Sequence, residues 1–133
     1  MEKMTSSQYV DLAAATAAPH GPTLIGGVEN AVLHAVLGVQ SEGGEAADIL
    51  KRMLYYGKPY DAETRLHLDE EFGDILWYIA LYCRTRGVSM EALMRANIAK
   101  LKHRYPHKFD PNAAIRVRDV AGEREAMKKE LES

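Results

Sequence analysis

Two acidic pairs, Glu42-Gly43-Gly44-Glu45 and Glu71-Phe72-Gly73-Asp74, stand where helix-core positions ought to be apolar. At three-residue spacing, each pair projects its carboxylates from neighbouring points on one helical surface. At about 100° per residue, Glu42 and Glu45 share a stripe with Ile49 and Met53. Glu71 borders the stripe of Leu68, Phe72, Ile75, Ile79 and Tyr82, with Asp74 at its edge. Unpaired carboxylates taken out of water are costly, and four together repel one another. A divalent cation relieves both penalties, so Glu42, Glu45, Glu71 and Asp74 are expected to form a metal site between packed helices. All-oxygen ligands suit a hard ion, Mg²⁺ with Mn²⁺ as a substitute. The rival reading is a set of solvated surface acids, which fits Asp48, Asp69 and Glu70 because they face away from the stripes.

Other chemistries lack their parts. A di-iron bundle needs Glu-x-x-His, and no such tetrad occurs. His-Glu-x-x-His and cysteine pairs for zinc are absent, as are a Walker loop and a dinucleotide glycine fingerprint. No serine or cysteine has the setting of a nucleophile. His34, His67, His103 and His107 read as surface or core-edge residues rather than ligands. Asn97, Lys100 and Arg104 fall at i, i+3 and i+7, one ridge beside Leu101. That ridge is either a solvated basic face or a set of amide and cationic donors for a polyphosphate. Lys51, Arg52 and Lys58 are weaker phosphate candidates. The base-binding residues are not readable: Tyr55, Tyr56 and Tyr60 suit loop packing better than stacking, and Asn30 and His34 stand on the helical stretch before the acids as pocket-lining candidates.

These residues need helices to hold them. Apolar periodicity and breakers predict a first helix over about Ser6–Ala17, before Pro19-His20-Gly21-Pro22. A second helical stretch runs from about Thr23 to Tyr55, with a kink or break plausible at Gly26-Gly27 or Gly43-Gly44. Gly44 within the first acidic pair implies either close approach by another helix or ligand, or such a break. A third helix spans Ala62–Arg86, with Asp61 as N-cap and Gly87 after its end. Its segment Ile75–Cys83 is apolar all round, so it needs partners on several sides, a subunit interface among them. Trp77 fits second-layer or interface packing better than ligand contact. A fourth helix, capped by Ser89, runs to Pro106. Ile115-Arg116-Val117-Arg118 alternates too briefly to name a strand, and Ala121–Glu132 reads as a charged terminal helix.

Together these elements predict an all-α, four-helix-bundle-like core with an extra N-terminal helix and a C-terminal tail. The 133 residues read as one domain, 1–133, with a motif-bearing core over about 23–106 and an extension over 107–133. Seventeen basic side chains against nineteen acidic ones give no field that argues for nucleic acid. The lone Cys83 excludes an internal disulfide and fits a reducing compartment. There is no signal-peptide pattern, and the longest apolar run is about half a membrane span. A cytoplasmic location without membrane partners is expected.

The Glu42-Gly43-Gly44-Glu45 and Glu71-Phe72-Gly73-Asp74-Ile75-Leu76-Trp77-Tyr78 segments resemble the paired motifs of MazG-like nucleoside triphosphate pyrophosphohydrolases. Asn97-Ile98-Ala99-Lys100-Leu101 and Arg104-Tyr105-Pro106 resemble that family's third block, so the likeness runs from about Val28 to Pro106. It implies an all-α fold assembled as a homodimer, homotetramer or other homo-oligomer. It further implies Mg²⁺-dependent cleavage of an NTP or dNTP to a nucleoside monophosphate and pyrophosphate. By matching position, Glu42, Glu45, Glu71 and Asp74 are the metal ligands, and Asn97, Lys100 and Arg104 contact phosphates. A general base is expected at Glu45 or Glu42. The same motifs serve dUTP-specific relatives and phosphoribosyl-ATP pyrophosphatases, so substrate choice stays open. The alternative is a non-catalytic helical module that binds metal or a protein partner.

Overall fold

The computed structural model describes residues 3–21 and 27–133. Among these residues there are six helices: α1 (Ser6–Thr16), α2 (Asn30–Tyr56), α3 (Ala62–Arg86), α4 (Met90–Arg104), α5 (Pro111–Ile115) and α6 (Val120–Leu131). No strand occurs among the described residues. The chain is therefore all-α. It divides into two compact units, the first ending at Gly87 and the second beginning at Val88.

Helix ends in the first unit follow their side chains. Thr5 and Gln8 form a reciprocal capping box at the start of α1. Asp61 accepts from the Thr64 backbone N–H and opens α3. Gly57 and Gly87 close α2 and α3 in the left-handed conformation, at φ 69° and 65°. The expected start near Thr23 and a break at Gly26 lie outside the described residues. At Gly43-Gly44 there is no break, and α2 runs through as 27 residues. Two mid-helix glycines cost about 1 kcal/mol each, and the packing of a long stripe against α3 outweighs that cost.

The short link at residues 57–61 makes α2 and α3 an antiparallel pair. Where they cross, Ala35 and Gly38 are buried, and a Cβ on Gly38 would fall within the Tyr78 ring. The second side of α3 takes α1. There the Trp77 indole N–H donates to Thr16 Oγ1 at 2.8 Å, and Arg84 meets Asp11 at 3.1 Å. Flanking α3 with two helices explains its all-round apolar middle and places Trp77 in packing, as its position in the sequence implied. Phe72 is a correction: it lies off the α2-facing stripe and is 61% exposed. Leu33, Val36, Leu37, Leu50 and Leu54 are also exposed, on the α2 face turned away from α3.

In the second unit, α4 packs on α6. Ser89 caps α4 and Asp119 caps α6. Glu123 is only 3% exposed and accepts from Arg104 Nε and Nη2, both at 2.9 Å, and from Arg118. His103 Nε2 pairs with Asp119 Oδ2 at 2.7 Å. The alternating residues 115–118 form no strand, since a short segment without a partner strand leaves its backbone groups unpaired. The five-residue α5, begun by Pro111 after the Asp110 cap, has no periodic signal.

Candidate metal centre

The continuity of α2 through its glycines carries Glu42 and Glu45 onto the face that meets α3, one turn beyond the Gly38–Tyr78 contact. α3 brings Glu71 to the same place. One carboxylate oxygen from each of Glu42, Glu45 and Glu71 lies within 4.8 Å of the others. Glu42 and Glu71 are half-buried and Glu45 is exposed, so the cluster opens to solvent on the Glu45 side.

The charges there are unbalanced. Burial first, then the charge of Glu45, then a hydrogen bond and charge from Glu42 raise the Glu71 carboxyl above its ordinary value. Among the described residues no Lys, Arg or His forms an ion pair with any of the three. Two carboxylates within hydrogen-bonding reach must share a proton or a cation. A hard divalent cation fits this donor set, which is all oxygen, convergent and without a counter-charge.

Asp74 is not part of the group. It is exposed, and its charge acts, after burial, to raise the pKa of Tyr9 on α1. The Tyr9 hydroxyl donates to the neighbouring Gly73 carbonyl at 3.5 Å. Three residues from Glu71, Asp74 is turned about 60° around α3, enough to move it from the α2 side toward α1. A contributor that sequence reading missed is Ser41, whose hydroxyl lies 3.1 Å from Glu42 Oε1 and 3.0 Å from the Gly38 carbonyl. Its only signal is adjacency to Glu42.

The phosphate candidates are on α4. Asn97 is exposed, Lys100 is half-buried, and Arg104 is held by Glu123. Lys51 and Arg52 both pair with Asp48, as surface side chains do. His34 belongs to an aromatic cluster, with its ring centroid 5.4 Å from that of Tyr78 and 6.2 Å from that of Trp77. His20 Nε2 lies 2.9 Å from His34 Nδ1. Tyr55, Tyr56 and Tyr60 are exposed.

Comparison with curated proteins and with solved structures gave no match. A family model, the MazG nucleotide pyrophosphohydrolase domain, matches residues 32–109. The matched segment is more than half of the chain and contains both acidic pairs and the α4 ridge. With its all-helical architecture and its carboxylate cluster, the chain belongs to the MazG nucleotide pyrophosphohydrolase family.

Proposed function

We propose that this protein is a Mg²⁺-dependent nucleoside triphosphate pyrophosphohydrolase that converts an NTP or dNTP to the monophosphate and pyrophosphate. The observation that carries this reading is the convergence of Glu42, Glu45 and Glu71, without a counter-charge, inside the family-matched segment. Glu42, Glu45 and Glu71 would hold Mg²⁺, or Mn²⁺ in its place, and Asp74, which stands outside the group, would join them only by reaching round α3. When bound, the ion supplies neutralisation of phosphate charge and a lowered pKa for an attacking water.

The remaining work falls to side chains. Ser41 fixes one oxygen of Glu42, whereas the Glu45 side chain is exposed to solvent. Glu45 therefore takes the proton as the water oxygen bonds to the α phosphorus. The bond from that phosphorus to the α–β bridging oxygen breaks, and the oxygen leaves with pyrophosphate. Lys100 and Asn97 are the phosphate contacts on α4. Arg104 is the weaker contact, since Glu123 occupies two of its nitrogens.

A homodimer or homotetramer is supported by the uncovered Leu33, Val36, Leu37, Leu50 and Leu54 face of α2. A cytoplasmic setting is consistent with the finding that no helix among the described residues is long and apolar enough to cross a membrane.

The test is a panel of NTPs and dNTPs with Mg²⁺ or EDTA. Equal amounts of monophosphate and pyrophosphate, dependent on the cation and lost in Glu71→Gln, are expected. Diphosphate plus inorganic phosphate would refute the proposal.

A further inference from the structure

The segment that follows α4 forms a cavity of about 520 Å³ entirely within the second unit. Its lining is unusual in combining cations with aromatic rings. Lys108, Arg116 and His107 contribute basic groups, and Arg104 lies at the α4 end. Tyr105 and Phe109 contribute rings whose centroids are 5.5 Å apart, inclined at 47°. Phe109 is 66% exposed. A phenylalanine left in water at a cavity wall is an unfilled contact surface, whereas a ring buried for stability is covered by its own chain.

The charges are divided in a way that leaves the cavity cationic. Arg104 points Nε and Nη2 at Glu123, so it frames the wall without being free to pair elsewhere through those atoms. Asp110 is the only acid in the lining, and one of its oxygens is occupied in capping α5. Its other oxygen meets Arg116 at 3.6 Å, a loose pair on a strongly exposed arginine. Lys108 has no ion pair among the described residues. Pro106 and Pro111 bracket the segment, and their fixed φ angles limit how far it can rearrange.

We propose that this cavity is a binding site for a nucleoside phosphate, with Lys108, Arg116 and His107 receiving the phosphates and Phe109, backed by Tyr105, stacking on the base. Positive groups beside an exposed aromatic face are what such a ligand requires, because phosphate needs charge-assisted donors and a base needs a π surface. Binding here needs no metal and does not rest on the hydrolytic reading.

The independence from metal supplies the test. In EDTA the carboxylate cluster repels anions, so equilibrium binding of ATP and of inorganic tripolyphosphate to the full chain, by calorimetry, reports on the cationic cavity. ATP is expected to bind more tightly than tripolyphosphate. The double variant Lys108→Ala/Arg116→Ala should weaken both ligands by at least about tenfold, since each loses charge-assisted hydrogen bonds. Phe109→Ala should weaken ATP by about fivefold or more through lost stacking and leave tripolyphosphate unchanged. Glu71→Gln should bind both as the unaltered protein does. All three altered residues of the cavity are exposed, and circular dichroism melts confirm folding of each variant. The site is overturned if neither ligand binds in EDTA, if the double variant binds normally, or if Glu71→Gln abolishes binding. The nucleoside assignment is overturned if tripolyphosphate binds as tightly as ATP or if Phe109→Ala leaves ATP affinity unchanged.

Discussion

Replacing Gly38 and Gly44 separately by alanine should move stability in opposite directions, although both glycines lie within the same helix. Alanine gains about 1 kcal/mol over glycine in a helix interior, and at Gly44 nothing opposes the gain, because beyond the adjoining backbone of α2 no atom lies within 4 Å of a Cβ built there. At Gly38 the added carbon would enter the Tyr78 ring. That ring cannot swing aside easily, since Trp77 lies 5.0 Å from it and His34 5.4 Å, both edge-on. Overpacking of this kind costs about 1–3 kcal/mol, and the buttressed ring puts the cost at the upper end. The net effect for Gly38→Ala is a loss of about 1–2 kcal/mol. With an unfolding entropy of about 2.1 cal/mol/K per residue, a unit of this size shifts by roughly 5 °C per kcal/mol. Circular dichroism melts should therefore show Gly38→Ala lowered by about 5–10 °C and Gly44→Ala raised by about 2–5 °C. If Gly38→Ala melts higher than the unaltered protein, α2 and α3 do not approach through Gly38. If Gly44→Ala is destabilised only at high protein concentration, a second copy occupies the space beside it.

Three further outcomes are expected. Saturating Mn²⁺ or Mg²⁺ should raise the melting temperature of the unaltered protein, by about 2.7 kcal/mol of stabilisation at one hundred times the dissociation constant, and Glu71→Gln should lose most of that response; equal responses would remove Glu71 from the metal site. In EDTA the raised Glu71 pKa means that its charged form is the disfavoured one in the fold, so stability falls as pH rises through that raised value. Glu71→Gln should then melt higher than the parent at neutral pH, with the gap closing below the usual 4.5; a gap that does not change with pH would refute the repulsion. Glu123 titrates the other way: its pKa is lowered from 4.5 to about 2 by Arg104 and then Arg118. Its stabilisation is full above 4.5 and disappears as pH falls toward 2, so Glu123→Gln should flatten the acid limb of an unfolding curve over that interval, and an unchanged limb would show that the pairing contributes nothing.

The helices carrying the acids were legible because their ends are written in local chemistry. Asp61, Ser89, Gly57 and Gly87 act through their own neighbours in sequence, so α3 and α4 could be delimited without knowing what they pack against. Long-range packing decided what the sequence left open or misplaced. Whether Gly43-Gly44 breaks α2 depends on α3, and whether Phe72 is covered depends on what lies beside that edge of the helix pair. The acidic constellation was legible as to Glu42, Glu45 and Glu71, since helical spacing alone converges them once two helices are antiparallel. Helical spacing left Asp74 at the edge of the stripe, and in the structure it stands outside the three-carboxylate group, about 60° further round α3. The pairing of Arg104 with Glu123 was not legible at all. It depends on α6 returning to α4, a contact between residues nineteen apart that no periodicity announces.

The docking of α1 has a practical corollary. Trp77 is the only tryptophan, and its indole nitrogen is bound to a hydroxyl on the N-terminal helix. The protein thus carries its own optical reporter: detachment of that helix would expose the indole and shift its emission to the red, with no label attached and without the rest of the fold coming apart.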